Sequence, residues 1–206
     1  MTEKTIVHLL RHGEVDNPRG VLYGRLPGYH LSERGGGMAL AASDFFAERS
    51  VVSVFSSPLE RAVETATPVA ARLGLPIVTD KRLIESANRF EGQSHPLRKP
   101  ENWPYLVNPF RPSWGEPFRD VVARIMEMVE VARRSAIGRE AVCVSHQLPI
   151  WVTRRQAEGK RLWHNPAARE CALGSVTSFT FEDARIIGVS YAVPAPRMIP
   201  DVDAAQ

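Results

Sequence analysis

Two histidines and two arginines in this chain are placed so that they could bind and transfer a phosphoryl group. Arg11 and His12 directly follow one apolar run, His146 closes another, and Arg61 lies near the start of a helical pattern. Guanidinium groups bind phosphate oxygens through paired hydrogen bonds, which an ammonium group cannot match. A neutral imidazole can attack phosphorus and form a phosphohistidine, which divides one difficult displacement into two easier ones. These residue types therefore indicate phosphoryl transfer.

The leaving alkoxide in such a reaction must receive a proton, and two glutamates in one predicted loop (residues 82–92) could supply it. Glu85 could deliver that proton and later activate water if its surroundings keep it protonated. Glu91 is the competing candidate in the same loop. Phosphate monoesters hydrolyse so slowly that enzymes accelerate the reaction by up to ~10²¹-fold, mostly through charge stabilisation and positioning. The arginines and one glutamate must therefore lie close to His12.

These side chains converge only if the strands that precede them lie side by side. Short β-branched runs alternate with helical patterns, which is typical of an α/β fold with a parallel sheet. The predicted parallel strands are 5–10, 51–55, 77–79 and 141–144. The carboxyl ends of parallel strands share one edge of the sheet, so the polar residues that follow them meet there. Two late strands, 176–181 and 185–192, predict an antiparallel hairpin at the edge of the sheet.

Four helices are predicted between these strands. They cover about 33–47, 58–73, 118–137 and 149–158. Ser32 is the predicted N-cap of the first helix. In the second, Ser57 is the predicted N-cap, Pro58 is the first helical residue, and Glu60 completes a capping box. Arg61 then falls in the first turn, where the helix dipole disfavours a cation, and a bound anion would resolve that conflict.

Length and composition bound the organisation of the chain. With 206 residues, of which 44% are hydrophobic, the chain can bury one substantial core, and we predict a single domain over 1–193. Residues 94–117 are rich in proline and aromatic side chains without sustained periodicity, which predicts an irregular, cap-like excursion from the sheet. The proline-rich stretch 194–206 is predicted to be a flexible tail.

Charge, cysteine content and hydropathy bear on partners and location. The formal charge of +3 favours anionic ligands only weakly, so no nucleic-acid partner is expected. The only two cysteines, Cys143 and Cys171, do not indicate a disulfide framework, and reduced thiols are expected. Without an apolar run of about eighteen residues or a signal-peptide core, the sequence predicts a soluble cytoplasmic protein with no membrane partner. The oligomeric state is not fixed, and a homodimer is left open.

Five segments of the chain also resemble, in the same order, the motifs of a known family. They are Leu10-Arg11-His12-Gly13-Glu14, Ser56-Ser57-Pro58-Leu59-Glu60-Arg61-Ala62 with Glu64-Thr65-Ala66, Glu85 with Phe90-Glu91-Gly92, Gly115-Glu116, and Val144-Ser145-His146. Together they resemble the histidine phosphatase superfamily, which includes the cofactor-dependent phosphoglycerate mutases. The resemblance implies a phosphoglycerate mutase-like fold, which is a three-layer αβα sandwich whose mostly parallel central sheet has an antiparallel edge.

The resemblance implies a role for each of the main candidates. His12 would be the phosphorylated nucleophile, and Glu85 would be the proton donor. The groups that hold the phosphoryl group would be Arg11, Arg61 and His146. No metal ion or other cofactor is implied.

Further positions take their expected roles from the same resemblance. Glu91 would belong to a structural Glu-Gly turn, which favours Glu85 as the proton donor. Ser57 would lie beside the nucleophile. Asn17 is the candidate for a phosphate contact from the first loop, although it comes one residue earlier than in the usual pattern. Gln147-Leu148 replaces the glycine pair that usually follows the second histidine, so the pocket is expected to have a different shape there.

Three functions are compatible with the sequence. The first is a phosphatase that hydrolyses a phosphate monoester of a small molecule through a phosphohistidine intermediate. A phosphoglycerate mutase-type phosphoryl transfer is the closest alternative, but residues 86–117 do not match the substrate-clamping pattern of those mutases, which favours hydrolysis. The third is a non-catalytic phosphate or RNA binder on the same fold, although a binder would have no need for Glu85.

Overall fold

The computed structural model describes residues 4–105 and 115–195. Its strands are β1 (Lys4–Arg11), β2 (Val51–Ser56), β3 (Ile77–Thr79), β4 (Glu140–Ser145), β5 (Val176–Glu182) and β6 (Arg185–Ala192). They form one sheet in the order β3-β2-β4-β1-β5-β6. The first four strands in that order are parallel, whereas β5 and β6 run antiparallel to their neighbours. Each predicted strand is confirmed, as is the antiparallel edge.

Four α-helices of the described residues flank the sheet. They are α1 (Glu33–Phe46), α2 (Glu60–Leu73), α3 (Phe118–Ser135) and α4 (Gln147–Ala157). The described part of the predicted excursion contains two short 3-10 helices, Pro96–Arg98 and Pro100–Tyr105. Residues 106–114 of that excursion and residues 196–206 of the predicted tail lie outside the described part of the chain. Among the helices of the described part, none is both long and apolar enough to cross a membrane.

The helices form two layers because the central strands are apolar on both faces. Along β4, Ala141 and Cys143 pack into the apolar cluster that contains residues of α3 and α4, whereas Val142 and Val144 pack into the cluster that contains residues of α1 and α2. All four side chains are fully buried. Side chains of a strand alternate between faces, so a continuous apolar run means that both faces are covered. The predicted three-layer α/β architecture is therefore confirmed.

The start of α2 differs from the prediction. The N-cap is Leu59, which makes no side-chain capping hydrogen bond, and the first helical residue is Glu60 instead of Pro58. The Ser57 hydroxyl lies 3.4 Å from the Leu59 amide and 2.8 Å from Nε2 of His146. Glu60 accepts a hydrogen bond from the Gly28 amide, so it does not complete a capping box. The predicted capping was wrong because a distant histidine binds the serine hydroxyl.

The glycine run at the start of α1 brings this helix against the chain that follows β1. Ser32 is the N-cap, as predicted, and its hydroxyl accepts a hydrogen bond from the Gly35 amide. A Cβ atom on Gly35 would lie 2.0 Å from the carbonyl oxygen of Glu14, and one on Gly13 would lie 2.6 Å from the carbonyl oxygen of Gly35. Only glycine allows two backbones to approach so closely. The contact fixes the position of the segment that begins with His12.

Candidate active site

The carboxyl ends of β1 and β4 bring the two predicted histidines together at one edge of the sheet. Arg11 is the last residue of β1, and the amide of His12 donates a hydrogen bond to the carbonyl oxygen of Ser145, the last residue of β4. His146 follows as the N-cap of α4. The rings of His12 and His146 lie 5.1 Å apart, measured between their centroids. The two histidines, 134 positions apart in the chain (146 − 12), are therefore neighbours in the fold.

His12 is buried and held in one tautomer. Its Nδ1 lies 2.7 Å from the carbonyl oxygen of Gly13, which can only accept a hydrogen bond, so Nδ1 carries the proton. Burial lowers the pKa of His12 well below its usual value, and the positive charges of Arg61 and Arg11 lower it further. The ring is therefore neutral near pH 7, and the lone pair lies on Nε2. A neutral imidazole with an available Nε2 is the form that attacks phosphorus.

Arg61 is fully buried in the first turn of α2. Its Nη2 donates to the carbonyl oxygen of Gly24 at 2.6 Å, and its guanidinium carbon lies 4.7 Å from the centre of the Tyr23 ring. Its Nε and Nη1 are buried and make no hydrogen bond within residues 4–105 and 115–195. Burial lowers the pKa of Arg61, although a guanidinium remains charged in proteins. The cation thus has two donor nitrogens without an acceptor in the described part of the chain.

Arg11 and His146 also have buried nitrogen atoms without a hydrogen-bond partner in the described chain. Arg11 donates from Nη1 to the carbonyl oxygen of Cys171 at 2.5 Å, while its buried Nε has no acceptor among the described residues. Ser57 accepts from the Leu59 amide, which leaves its hydroxyl proton free to donate to Nε2 of His146. The proton of the His146 ring is then on Nδ1, which is also buried and unpartnered within the described chain. Burial and the neighbouring cations lower the pKa of His146 well below its usual value.

Four buried nitrogen donors near His12 thus have no acceptor among the described residues: Nε of Arg11, Nε and Nη1 of Arg61, and Nδ1 of His146. A buried donor without an acceptor typically costs ~1–3 kcal/mol, so native structures rarely leave several at one place without a reason. Donors from two guanidinium groups and one imidazole match the oxygens of a phosphoryl group. The arrangement can therefore hold a phosphoryl group against Nε2 of His12.

Glu85 lies in the loop after β3, and one of its carboxylate oxygens accepts a hydrogen bond from the Ser86 amide at 2.7 Å. Burial raises the pKa of Glu85, although the Ser86 amide and the charge of Arg61 oppose the rise. A partly buried carboxyl with a raised pKa can act as a proton donor nearer neutral pH than an ordinary glutamate. Glu91 differs, because its carboxylate accepts from the amide of Asn88 and closes a local turn.

The backbone around Glu85 is held by two arginines that share one carboxylate. Arg25 donates to the carbonyl oxygen of Glu85 at 2.7 Å, and Arg124 donates to that of Ile84 at 2.7 Å. Both arginines form ion pairs with Glu116, at 2.8 Å and 2.9 Å. No role for Arg25, Arg124 or Glu116 was predicted from the sequence. The Gly115-Glu116 motif was the only signal that could have pointed to this support.

Asn17 forms its hydrogen bonds within its own loop and not with the other predicted site residues. Its amide nitrogen donates to the carbonyl oxygen of Val21 at 2.9 Å, and its amide oxygen accepts from the Val21 amide at 3.1 Å. The second N–H of Asn17 makes no hydrogen bond with the residues that the structure describes. Its phosphate-binding role therefore stays a prediction.

Comparison with known proteins places the chain in a family. A model of the histidine phosphatase superfamily (branch 1) matches residues 7–193. The chain therefore belongs to the histidine phosphatase superfamily, as its motifs indicate. Its family and fold are those of phosphatase- and mutase-type enzymes.

Three of the similar proteins indicate how far the likeness extends. The uncharacterized protein Rv0525 of Mycobacterium tuberculosis is 53% identical over 200 residues, which cover 95% of this chain and 99% of that protein. The structure of a mycobacterial glucosyl-3-phosphoglycerate phosphatase superposes with a TM-score of 0.75 at 25% identity, and covers 92% of this chain and 98% of its own. A phosphoglycerate mutase from Bacillus anthracis superposes with a TM-score of 0.71 at 19% identity, covering 93% and 92%, and shares the fold.

Proposed function

We propose that this protein is a phosphatase that hydrolyses a phosphate monoester of a small molecule through a phosphohistidine at His12. The observation that carries the proposal is the set of buried, unsatisfied nitrogen donors of Arg11, Arg61 and His146 around a neutral imidazole. The donors would neutralise the phosphoryl oxygens, and the fixed tautomer would leave Nε2 ready to attack.

In the first step, Nε2 of His12 forms a bond to phosphorus while the ester P–O bond breaks. The protonated carboxyl of Glu85 gives its proton to the leaving oxygen, so an alcohol is released and Glu85 becomes a carboxylate. The guanidinium groups and the His146 Nδ1–H stabilise the charge on the three equatorial oxygens as the phosphoryl group transfers.

In the second step, a water molecule attacks phosphorus on the same axis. The Glu85 carboxylate accepts a proton from that water, the P–N bond breaks, and the imidazole regains its lone pair. Inorganic phosphate leaves, and Glu85 is again protonated. The same carboxyl thus acts as an acid and then as a base, which requires the raised pKa that burial gives it.

Hydrolysis is favoured over mutase-type transfer by two observations. Residues 86–117 lack the substrate-clamping pattern of the phosphoglycerate mutases, and the chain is similar over most of its length to a glucosyl-3-phosphoglycerate phosphatase. The mutase at 19% identity supports a shared fold only. Mutase activity and non-catalytic binding are the two alternatives that the following experiment distinguishes from hydrolysis.

The test compares the wild-type protein with His12→Ala on p-nitrophenyl phosphate at about pH 5 to 8. Removing the nucleophile should lower kcat by ~10³-fold or more, because without it the covalent route is lost. His30→Ala is the control, since His30 is an exposed histidine bonded to Glu64. A short incubation with ³²P-labelled substrate should label wild-type protein with an acid-labile, alkali-stable phosphate that His12→Ala lacks.

Other results would contradict the proposal. Phosphate exchange between 3- and 2-phosphoglycerate that requires a bisphosphoglycerate primer, with negligible release of inorganic phosphate, would indicate a mutase. Binding of phosphate esters with no turnover of any monoester would indicate a non-catalytic binder.

A further inference from the structure

A third arginine, Arg169, lies beside the candidate active site and has no part in the steps above. It belongs to the loop between α4 and β5, and two contacts fix its place. Its Nη1 donates to the side-chain oxygen of Gln147 at 3.2 Å, and Gln147 directly follows His146. Two residues after Arg169, the carbonyl oxygen of Cys171 accepts the hydrogen bond from Arg11. The loop that carries Arg169 thus contacts Arg11 and the residue that follows His146.

The orientation of the Arg169 guanidinium is held by a neutral histidine. Nε of Arg169 donates to Nε2 of His164 at 2.9 Å, while Nδ1 of His164 donates to the carbonyl oxygen of Leu162 at 2.7 Å. The His164 ring stacks on Phe118 at 5.5 Å and meets the Trp151 ring edge-on at 5.9 Å. Burial lowers the pKa of His164 to about 4, so the ring is an uncharged acceptor at neutral pH.

The second acceptor exists because of a departure from the family pattern. The resemblance leads one to expect glycine after the second histidine, and glycine has no side chain that could accept a hydrogen bond. Gln147 supplies an amide oxygen at that position. Arg169 therefore has two neutral acceptors that fix its direction but do not balance its charge.

The charge of Arg169 is not balanced by an ion pair. Its two hydrogen bonds within the described chain both go to neutral groups, whereas Arg25, which donates to the carbonyl oxygen of Glu85, is paired with Glu116. Nη2 of Arg169 makes no hydrogen bond with the described residues. Glu85 is the main opposite charge that acts on Arg169. That charge is absent when Glu85 is protonated, which is the state required for the first step.

We propose that Arg169 binds a second anionic group, a carboxylate or a phosphate, on the alcohol portion of the substrate and so selects anionic leaving groups. The inference rests on the proposed phosphatase function. Glu85 gives its proton to the ester oxygen, so its surroundings mark the side on which the alcohol leaves. Arg169 lies within the electrostatic reach of Glu85, its direction is fixed, and it has no ion-pair partner among the described residues. An anionic group on the substrate would supply the counter-charge that the described residues do not provide.

The test measures selectivity between matched substrates. 3-Phosphoglycerate and glycerol 3-phosphate differ in a carboxylate against a hydroxymethyl group, and propane-1,3-diol bisphosphate and 3-hydroxypropyl phosphate differ in the second phosphate. For each pair we define a ratio, kcat/KM for the substrate with the second anionic group divided by kcat/KM for the substrate without it. In the wild type this ratio should exceed one for at least one pair, and each pair is one arm of the test. In that arm, Arg169→Met should lower the ratio ~10- to 100-fold, the usual worth of a hydrogen bond to a charged group. The arm that responds identifies the anionic group.

Two further variants control the measurement. Arg134→Met removes the same charge from an exposed position at the carboxyl end of α3, and the ratio should stay at the wild-type value. Arg169→Lys keeps the charge but cannot reach both Gln147 and His164 with a planar fork, and its ratio should lie between those of the wild type and Arg169→Met. If Arg169→Met does not fold, a lowered ratio in Arg169→Lys relative to the wild type tests the proposal instead.

The outcomes separate this inference from the proposed function. If wild-type protein hydrolyses p-nitrophenyl phosphate but both ratios are the same in Arg169→Met and Arg169→Lys as in the wild type, the anion-binding role is wrong and the phosphatase proposal stands. An equal fall for anionic and neutral substrates would likewise show that Arg169 only supports the local structure. If the wild type hydrolyses no monoester, both proposals fail.

Discussion

The Nδ1 nitrogen of His12 lies 2.7 Å from the carbonyl oxygen of Gly13, the next residue in the chain. A carbonyl oxygen cannot donate, so this contact alone decides which ring nitrogen carries the proton. The residue that lets the backbone pass close to α1 therefore also fixes the tautomer of the candidate nucleophile. Burial lowers the pKa of that ring, and the charges of Arg61 and Arg11 lower it further, so the ring stays neutral. The nucleophile and its tautomer thus follow from one short segment, whereas its charge state also depends on burial and on Arg61 of α2.

The first prediction concerns the pH dependence of kcat/KM for an alkyl phosphate such as glycerol 3-phosphate. Glu85 must be protonated to act as an acid, so activity should fall as pH rises through its pKa, which burial raises above the usual value. His12 should add no acid limb near its ordinary pKa of 6.5, because its pKa lies well below that. A profile from about pH 5 to 8 for wild type and Glu85→Gln checks this, since titration of the substrate is common to both. Profiles of the same shape in the wild type and in Glu85→Gln would contradict it.

The second prediction is that loss of Glu85 depends on the leaving group. An alkoxide needs a proton to leave, whereas p-nitrophenolate leaves readily without one. Glu85→Gln should therefore lower kcat ~10²- to 10⁴-fold with glycerol 3-phosphate and much less with p-nitrophenyl phosphate. Glu91→Gln is the matched control, because Glu91 closes a turn with Asn88 and should not distinguish the two substrates. Equal losses in Glu85→Gln would argue against a proton-donor role.

The third prediction tests the hydrogen bond between Ser57 and His146. The serine hydroxyl donates to Nε2 and so keeps the proton of His146 on Nδ1, the nitrogen that has no other partner in the described chain. Ser57→Ala leaves the tautomer free and should lower kcat about tenfold, the equivalent of ~1.4 kcal/mol. Steady-state kinetics with p-nitrophenyl phosphate measures this. Ser53→Ala, on the strand that Ser57 follows, is the control, and a loss of equal size there would point to a general effect on β2.

Much of the fold was predictable because its signals are local. Strand positions follow from β-branched runs, and the meeting of Arg11, His12 and His146 follows because parallel strands share an edge. The start of α2 was not predictable in the same way, since the partner of the Ser57 hydroxyl comes from another strand end. Arg169 gave no signal at all, because its loop has no periodic pattern and its partners Gln147 and His164 are set by tertiary structure.

The fourth prediction separates two adjacent glycines of α1. A Cβ atom on Gly35 would lie 2.0 Å from the carbonyl oxygen of Glu14, whereas one on Gly36 would meet nothing within 4 Å. Gly36→Ala should raise the free energy of unfolding by ~0.5–1 kcal/mol, since alanine is the better helix former. Gly35→Ala should lower it by ~1–3 kcal/mol, because backbone must move. Urea unfolding measures both, and a stabilised Gly35→Ala would show that the contact can relax.

The last prediction concerns Glu116, whose carboxylate joins the two arginines that hold the Glu85 loop. Glu116→Gln keeps the size of the side chain but leaves both cations without a counter-charge, so their hold on the carbonyl oxygens of Ile84 and Glu85 should loosen. A misplaced proton donor slows the alkyl phosphate more than p-nitrophenyl phosphate, so the ratio of their kcat values should fall about tenfold. Glu130→Gln is the control, because Glu130 pairs with two arginines on α3, Arg133 and Arg134. A loss of stability in Glu116→Gln with an unchanged ratio would mean that the network supports the fold and does not position Glu85.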